Sequence, residues 1–210
     1  MENVLLTISN VIGSNRTIVA QAQKAKQTSS TILHYLDILA ERIGEIAAKL
    51  NVNKTIKIVF EEQNIALVVL YSKPRSLRVI GGATRNQSMT LDIFTSHRNP
   101  LTSFMDIKTL ATARIPKEAF RNKSQVVYSL LFNNDTLFQT ENQIKALQLG
   151  QPILSPLSSK ILAVTVGKEK IVNLSDPIRL IFKKTDFGIA KDDRKMYNYT
   201  CVFWDTQKGK

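Results

Sequence analysis

With 210 residues and 43% apolar content, the chain can close a substantial hydrophobic core, which excludes a disordered polypeptide. A formal charge of +12 raises nucleic acid as a partner, yet Lys24, Lys26, Lys73, Arg75, Arg78, Arg85, Lys183, Lys184, Lys191, Arg194 and Lys195 are scattered. With no RNA-binding signature and no densely basic helix face, nucleic acid is not expected. No apolar run approaches the ~20 residues of a membrane span, and the first residues lack the basic flank and continuous apolar stretch of a secretory leader.

In chain order, Met1 to Ile12 and Thr17 to Gln27 read as helices. Leu36, Leu39, Ile43, Ile46 and Leu50 recur at steps of three and four, which predicts a helix from about Thr31 to Leu50 with one apolar stripe. Thr28, Ser29 and Ser30 offer capping oxygens ahead of it. The helical period ends at Asn51–Lys54, so the chain divides into a helical segment, 1–54, and a second unit, 55–210.

There the period becomes two. Ile56, Ile58 and Phe60; Met89, Leu91 and Ile93; Ala111, Ala113 and Ile115; Val126, Tyr128, Leu130 and Phe132; Leu162, Val164 and Val166; and Ile178, Leu180 and Phe182 each step by two, every set bounded by Asn, Gly, Pro or Ser. Ile65 to Tyr71 is continuously apolar, as in a strand buried on both faces. Gly81-Gly82 is a turn signal. Short strands without intervening helices predict an α+β chain whose second part is a mainly antiparallel β-sandwich. In the last strand, Tyr199, Cys201 and Phe203 would face one way, Val202 and Trp204 the other.

Chemistry-bearing motifs are sparse. The chain contains no Cys-x-x-Cys, His-Glu-x-x-His, acidic calcium loop or glycine-rich phosphate loop, so no metal or cofactor is expected. His34 falls in the helical stripe and His97 in a Ser-His-Arg-Asn-Pro loop, neither beside a nucleophile. Asn-x-Ser/Thr sequons begin at Asn15, Asn53, Asn86, Asn122, Asn134, Asn173 and Asn198. Chance would give about two, and the excess points to the secretory pathway. In that compartment a lone cysteine, Cys201, implies a free thiol or a partner outside these residues; a small buried hydrophobe on a strand is the alternative.

The final forty residues carry a resemblance. Asp176-Pro177-Ile178-Arg179-Leu180-Ile181-Phe182 followed by Cys201-Val202-Phe203-Trp204-Asp205 resembles the first half of the proteolysis-site (GPS) motif that closes the GAIN domain of adhesion G-protein-coupled receptors. Leu162–Gly167 with Asn173-Leu174-Ser175-Asp176-Pro177, Ala113-Arg114-Ile115-Pro116, Val126–Phe132 and Leu137-Phe138 are similar to blocks upstream of it. The resemblance implies that residues 1–54 are a remnant of helical subdomain A and residues 55–210 a subdomain B sandwich lacking its last strand. It makes Cys201, Phe203, Trp204 and Asp205 the motif core, and pairs Cys201 with a cysteine beyond Lys210.

The family's self-cleaving His-Leu-Thr/Ser also falls beyond Lys210, so the resemblance implies a non-enzymatic fragment. Its implied place is the extracellular face of the plasma membrane, holding the tethered activating strand and relaying adhesion or mechanical signals to a seven-helix membrane domain, with a protein or glycan ligand. A secreted glycan-binding or adhesion sandwich without a receptor is the other reading.

Because the cations are dispersed, any affinity for heparin-like polymers is expected to be weak and to vanish near physiological salt. Retention on a heparin column above that salt would reveal a focused basic site.

Overall fold

The computed structural model describes residues 2–26, 28–50, 55–72, 79–85, 88–94, 109–120, 125–151, 159–167, 173–183 and 200–201. Three helices lead: α1 (Glu2–Gly13), α2 (Arg16–Lys26) and α3 (Thr28–Leu50). Strands follow: β1 (Ile56–Glu61), β2 (Ile65–Ser72), β3 (Val79–Arg85), β4 (Ser88–Phe94), β5 (Thr109–Arg114), β6 (Gln125–Phe132), β7 (Ile161–Val166) and β8 (Arg179–Phe182). A 3-10 turn, Lys117–Phe120, lies between β5 and β6, and helix α4 (Glu141–Gln148) between β6 and β7.

The described strands form two four-stranded antiparallel sheets. Sheet A has the order β1-β2-β6-β7 and sheet B the order β4-β3-β5-β8. They face each other as the predicted sandwich. Ala66, Val68 and Leu70 from one face of β2 and Val127 and Leu131 from β6 meet Met89, Ala111 and Ala113 of sheet B, with Phe120 of the 3-10 turn closing the cluster.

The other face of sheet A is covered too. Ile65, Leu67, Val69, Tyr128, Leu130 and Phe132 pack against Leu5 and Ile12 of α1, Val19 of α2, and Leu33, Leu36, Ala40 and Ile43 of α3. Sheet A is therefore the middle of three layers, helices on one side and sheet B on the other. Every residue from Ile65 to Leu70 is buried, as the apolar run predicts. Each large side chain buried there contributes about 1.5–3 kcal/mol. Strand β6 departs from its predicted alternation, because Val127, Ser129 and Leu131 are as buried as the residues between them.

Helix α3 differs from its predicted form in two ways. It begins at Thr28, so Thr28, Ser29 and Ser30 lie inside it instead of capping it. Its buried face is Leu33, Leu36, Ala40, Ile43, Gly44 and Ala47, whereas Ile46 is 55% and Leu50 73% exposed. The largest apolar side chains do not all turn inward because the small residues Ala40, Gly44 and Ala47 let the helix axis approach the sheet.

Two further expectations fail on local grounds. Gly81-Gly82 is no turn: both glycines lie within β3, next to a register shift at Gly82/Ala83 where β3 meets β5. A glycine pair inside a strand tolerates such an irregularity. Helix α4, absent from the strand-only reading, starts with a capping box in which Thr140 Oγ1 accepts from Gln143 N and Gln143 Oε1 from Thr140 N. Gly150, with φ of 66°, follows its end in the left-handed conformation that glycine adopts at least cost.

At Gly44 a Cβ would stand 2.2 Å from Val126 Cγ1 and 2.6 Å from Val126 Cγ2. Alanine normally gains ~0.5–1 kcal/mol over glycine inside a helix. Here Gly44→Ala is expected to destabilise the fold by about 1–3 kcal/mol by overpacking, and Val126→Ala in the same chain to recover part of that loss. Urea unfolding of the two single variants and the double variant measures both.

Candidate functional site

The C-terminal motif and the seam between helices and sheet A are the two places where chemistry and architecture meet. Residues 173–183 form the first. Leu174 packs against the inter-sheet core, Asn173 is exposed at a φ of 56°, and Asp176 lies 3.7 Å from both Arg114 and Arg179. All three side chains of that ion-pair group are more than a third exposed, so it orients the entry to β8 while contributing little stability. Strand β8 then pairs with β5, Arg179 opposite Arg114 and Phe182 opposite Ala111, and Lys183 N extends the ladder to Leu110 O at 2.8 Å.

Among the described residues β5 is the partner of β8, which makes β8 an edge of sheet B. Its alternation predicts one buried face, but every residue from Ile178 to Phe182 is exposed, Leu180 at 53% and Ile181 at 45%. Among the described residues β5 is the strand beside it.

Cys201 is exposed and, like Thr200, has irregular backbone. This departs from the predicted alternating strand at those two positions and from the reading of Cys201 as a buried hydrophobe. Tyr199, Val202, Phe203, Trp204 and Asp205 lie outside the described residues, as does His97. His34 is exposed on α3, its ring 6.1 Å from that of Tyr35. Among the described residues no three His, Cys, Asp or Glu side chains gather as metal ligands would, and no helix is long and apolar enough to cross a membrane.

The seam is polar where the helical segment meets the turns at one end of sheet A. Asn64, in the β1–β2 turn, donates from its backbone N to Ser9 Oγ at 3.1 Å and from Nδ2 to Ser9 O at 3.0 Å. Space is tight there, for a Cβ on Gly13 would sit 2.7 Å from Asn64 Nδ2. Asn133 N donates to Asn64 O at 2.9 Å, and Lys160 Nζ donates to both Asn133 O and Asn133 Oδ1 at 2.7 Å. Partial burial holds the Lys160 ammonium below its usual pKa. Arg16 pairs with the largely buried Asp135, and Asn134 Nδ2 donates to Ile12 O at 3.3 Å.

Further along the seam, Tyr128 of β6 donates its hydroxyl to Asp37 Oδ1 of α3 at 3.1 Å. Burial pushes the Tyr128 phenol up to about 12. Burial also raises the Asp37 carboxyl, the Tyr128 hydrogen bond opposes that, Glu41 adds to it, and His34 opposes it.

Apart from Asn134, read as a sequon, and Tyr128, read as part of an alternating strand, these seam residues were not singled out in the sequence. The usable signals were local: Thr140-Glu141-Asn142-Gln143 for the capping box, and the Asn133-Asn134-Asp135 cluster directly after an apolar strand. Of the sequons, Asn15 and Asn173 are exposed and Asn134 is half-buried. Asn53, Asn86, Asn122 and Asn198 lie outside the described residues.

A family model described as GPS: GAIN subdomain B matches residues 82–210. The chain is similar to the adhesion G-protein coupled receptor G1 of Danio rerio, with 30% identity over 120 residues that make up 55% of this chain and 16% of that protein. Its fold is similar to the full extracellular region of zebrafish Gpr126/Adgrg6, at a TM-score of 0.65 and 22% identity, over 97% of this chain and 24% of that one. The chain thus spans a minor part of each relative's length. The fold likeness takes in the helices as well as both sheets.

Because the folded-state pKa of Asp37 is raised, its contribution to stability is fully present below the ordinary carboxylate value of 3.8 and is lost as pH rises through the higher folded value. Asp37→Asn, which keeps an acceptor for Tyr128 but carries no charge, is expected to gain on the wild type between that acidic limit and neutrality. Urea midpoints of both proteins across that range test it, and parallel curves would contradict it.

Proposed function

The chain belongs to the GAIN subdomain B family, and on that premise we propose that it works in the extracellular part of an adhesion receptor. There it holds the strand that follows the GPS motif and passes load to a seven-helix membrane domain. The observation that carries the reading is the edge position of β8 inside the region matched by the family. A strand that continues the motif core of Cys201, Phe203, Trp204 and Asp205 can add by backbone hydrogen bonding to the apolar side of β8 that has no partner among the described residues. A disulfide from the exposed Cys201 to a cysteine outside these residues would anchor its start.

The role is one of binding and mechanics, with no catalytic group required of residues 1–210. In this reading residues 1–54 are the end of helical subdomain A and residues 55–210 are subdomain B. Adhesion to a protein or glycan ligand belongs to the parent receptor. The similarity to a curated adhesion receptor favours this over a free-standing glycan-binding sandwich.

Hydrogen exchange at β8 tests the proposal. In a protein extended through the parent's next segment, the amides of Leu180, Ile181 and Phe182 are expected to exchange at least about tenfold more slowly than in the 210-residue chain, in line with new ladder hydrogen bonds. Equal exchange in the two proteins would show that β8 does not receive the following strand.

A further inference from the structure

Three sequons within the described residues have different surroundings. Asn15-Arg16-Thr17 opens α2: Asn15 is exposed, and its Oδ1 accepts from Thr17 N at 2.8 Å, capping the helix. Asn173-Leu174-Ser175 lies between β7 and β8 with Asn173 and Ser175 exposed. Asn134-Asp135-Thr136 is enclosed. Asn134 Oδ1 accepts from Thr136 N at 3.0 Å and its Nδ2 donates to the carbonyl of Ile12, while Asp135 and Thr136 are both buried. The middle residues of the first and third sequons, Arg16 and Asp135, pair with each other, so these two sequons meet at the seam.

We propose that Asn15 and Asn173 are N-glycan acceptors and that Asn134 is not, its amide being one of the hydrogen bonds that hold the end of α1 on the sandwich. In the transfer, Nδ2 loses one proton and bonds to the anomeric carbon of a lipid-diphosphate-linked oligosaccharide, whose lipid diphosphate departs. Oδ1 is untouched. A glycan on Asn15 therefore leaves the α2 cap intact, since the cap uses Oδ1. A glycan on Asn134 would have to replace one of the two Nδ2 hydrogens of a half-buried amide that sits against the carbonyl of Ile12 beside the buried Asp135 and Thr136, so a chain modified there docks α1 less well. The proposal rests on the reading of the chain as a secretory-pathway protein, because the lumen of that pathway supplies the donor.

The full chain, placed behind a secretory leader in animal cells, provides the test. Folded monomer is collected from both medium and cells. Glycans are released by an amidase in heavy-oxygen water, which marks each modified asparagine as labelled aspartate for mass spectrometry. Asn15 and Asn173 are expected to be labelled. Asn134 is expected to be labelled about tenfold less or lower still, the ratio that one buried, desolvated hydrogen bond supplies. Asn15→Gln should remove one glycan; Asn134→Gln should remove none, yet speed hydrogen exchange at the end of α1.

Folded monomer with Asn134 labelled as fully as Asn15, or with Asn15 unlabelled, overturns the proposal. The expected pattern in folded protein that never leaves the cell supports the proposal and counts against the extracellular reading alone.

Discussion

Sheet A is apolar on both faces, and the architecture follows from that constraint. Strands β2 and β6 lie at its centre, and neither can be left with one side in water without exposing several large side chains. Sheet B covers one face. The three helices must cover the other, so the helical segment and the sandwich share the core of Leu67, Val69, Tyr128, Leu130 and Phe132. A change of period in the sequence near Asn51 marks a change of secondary structure, while the hydrophobic core runs across it.

Polar groups give this apolar contact its registration. Hydrophobic surfaces can slide over one another; hydrogen bonds with defined partners cannot. Ser9 to Asn64, Asn64 to Asn133, Asn133 to Lys160, Ile12 to Asn134 and Arg16 to Asp135 fix the helices against the turns of sheet A. Tyr128 and Asp37 add a further link between α3 and β6.

Strand β8 is less enclosed. It is short, exposed on both faces and bonded to β5, and the ion pairs around Asp176 that lead into it are screened by solvent. The molecule thus combines a closely packed middle layer with a sparsely supported edge in the segment matched by the family.

The sequence by itself determined the class of the fold and the family. Alternation and the Ile65–Tyr71 run were enough for the strands other than β3, whose Gly81-Gly82 reads as a turn, because the period follows directly from strand geometry. The motif around Cys201 was legible because its residue types are rare in this chain. What only the tertiary structure decided was which faces are covered. The stripe of α3 was misread because Ala40, Gly44 and Ala47 carry no strong apolar signal, yet their small size permits the close approach that buries them. The exposure of β8, which has the alternation of a half-buried strand, is likewise not written in its own residues. Asn15 and Asn134 read identically as sequons, and they diverge because one lies at an open helix start and the other beneath α1. Local spacing fixes periodicity and chemistry; burial is a property of what the rest of the chain brings alongside.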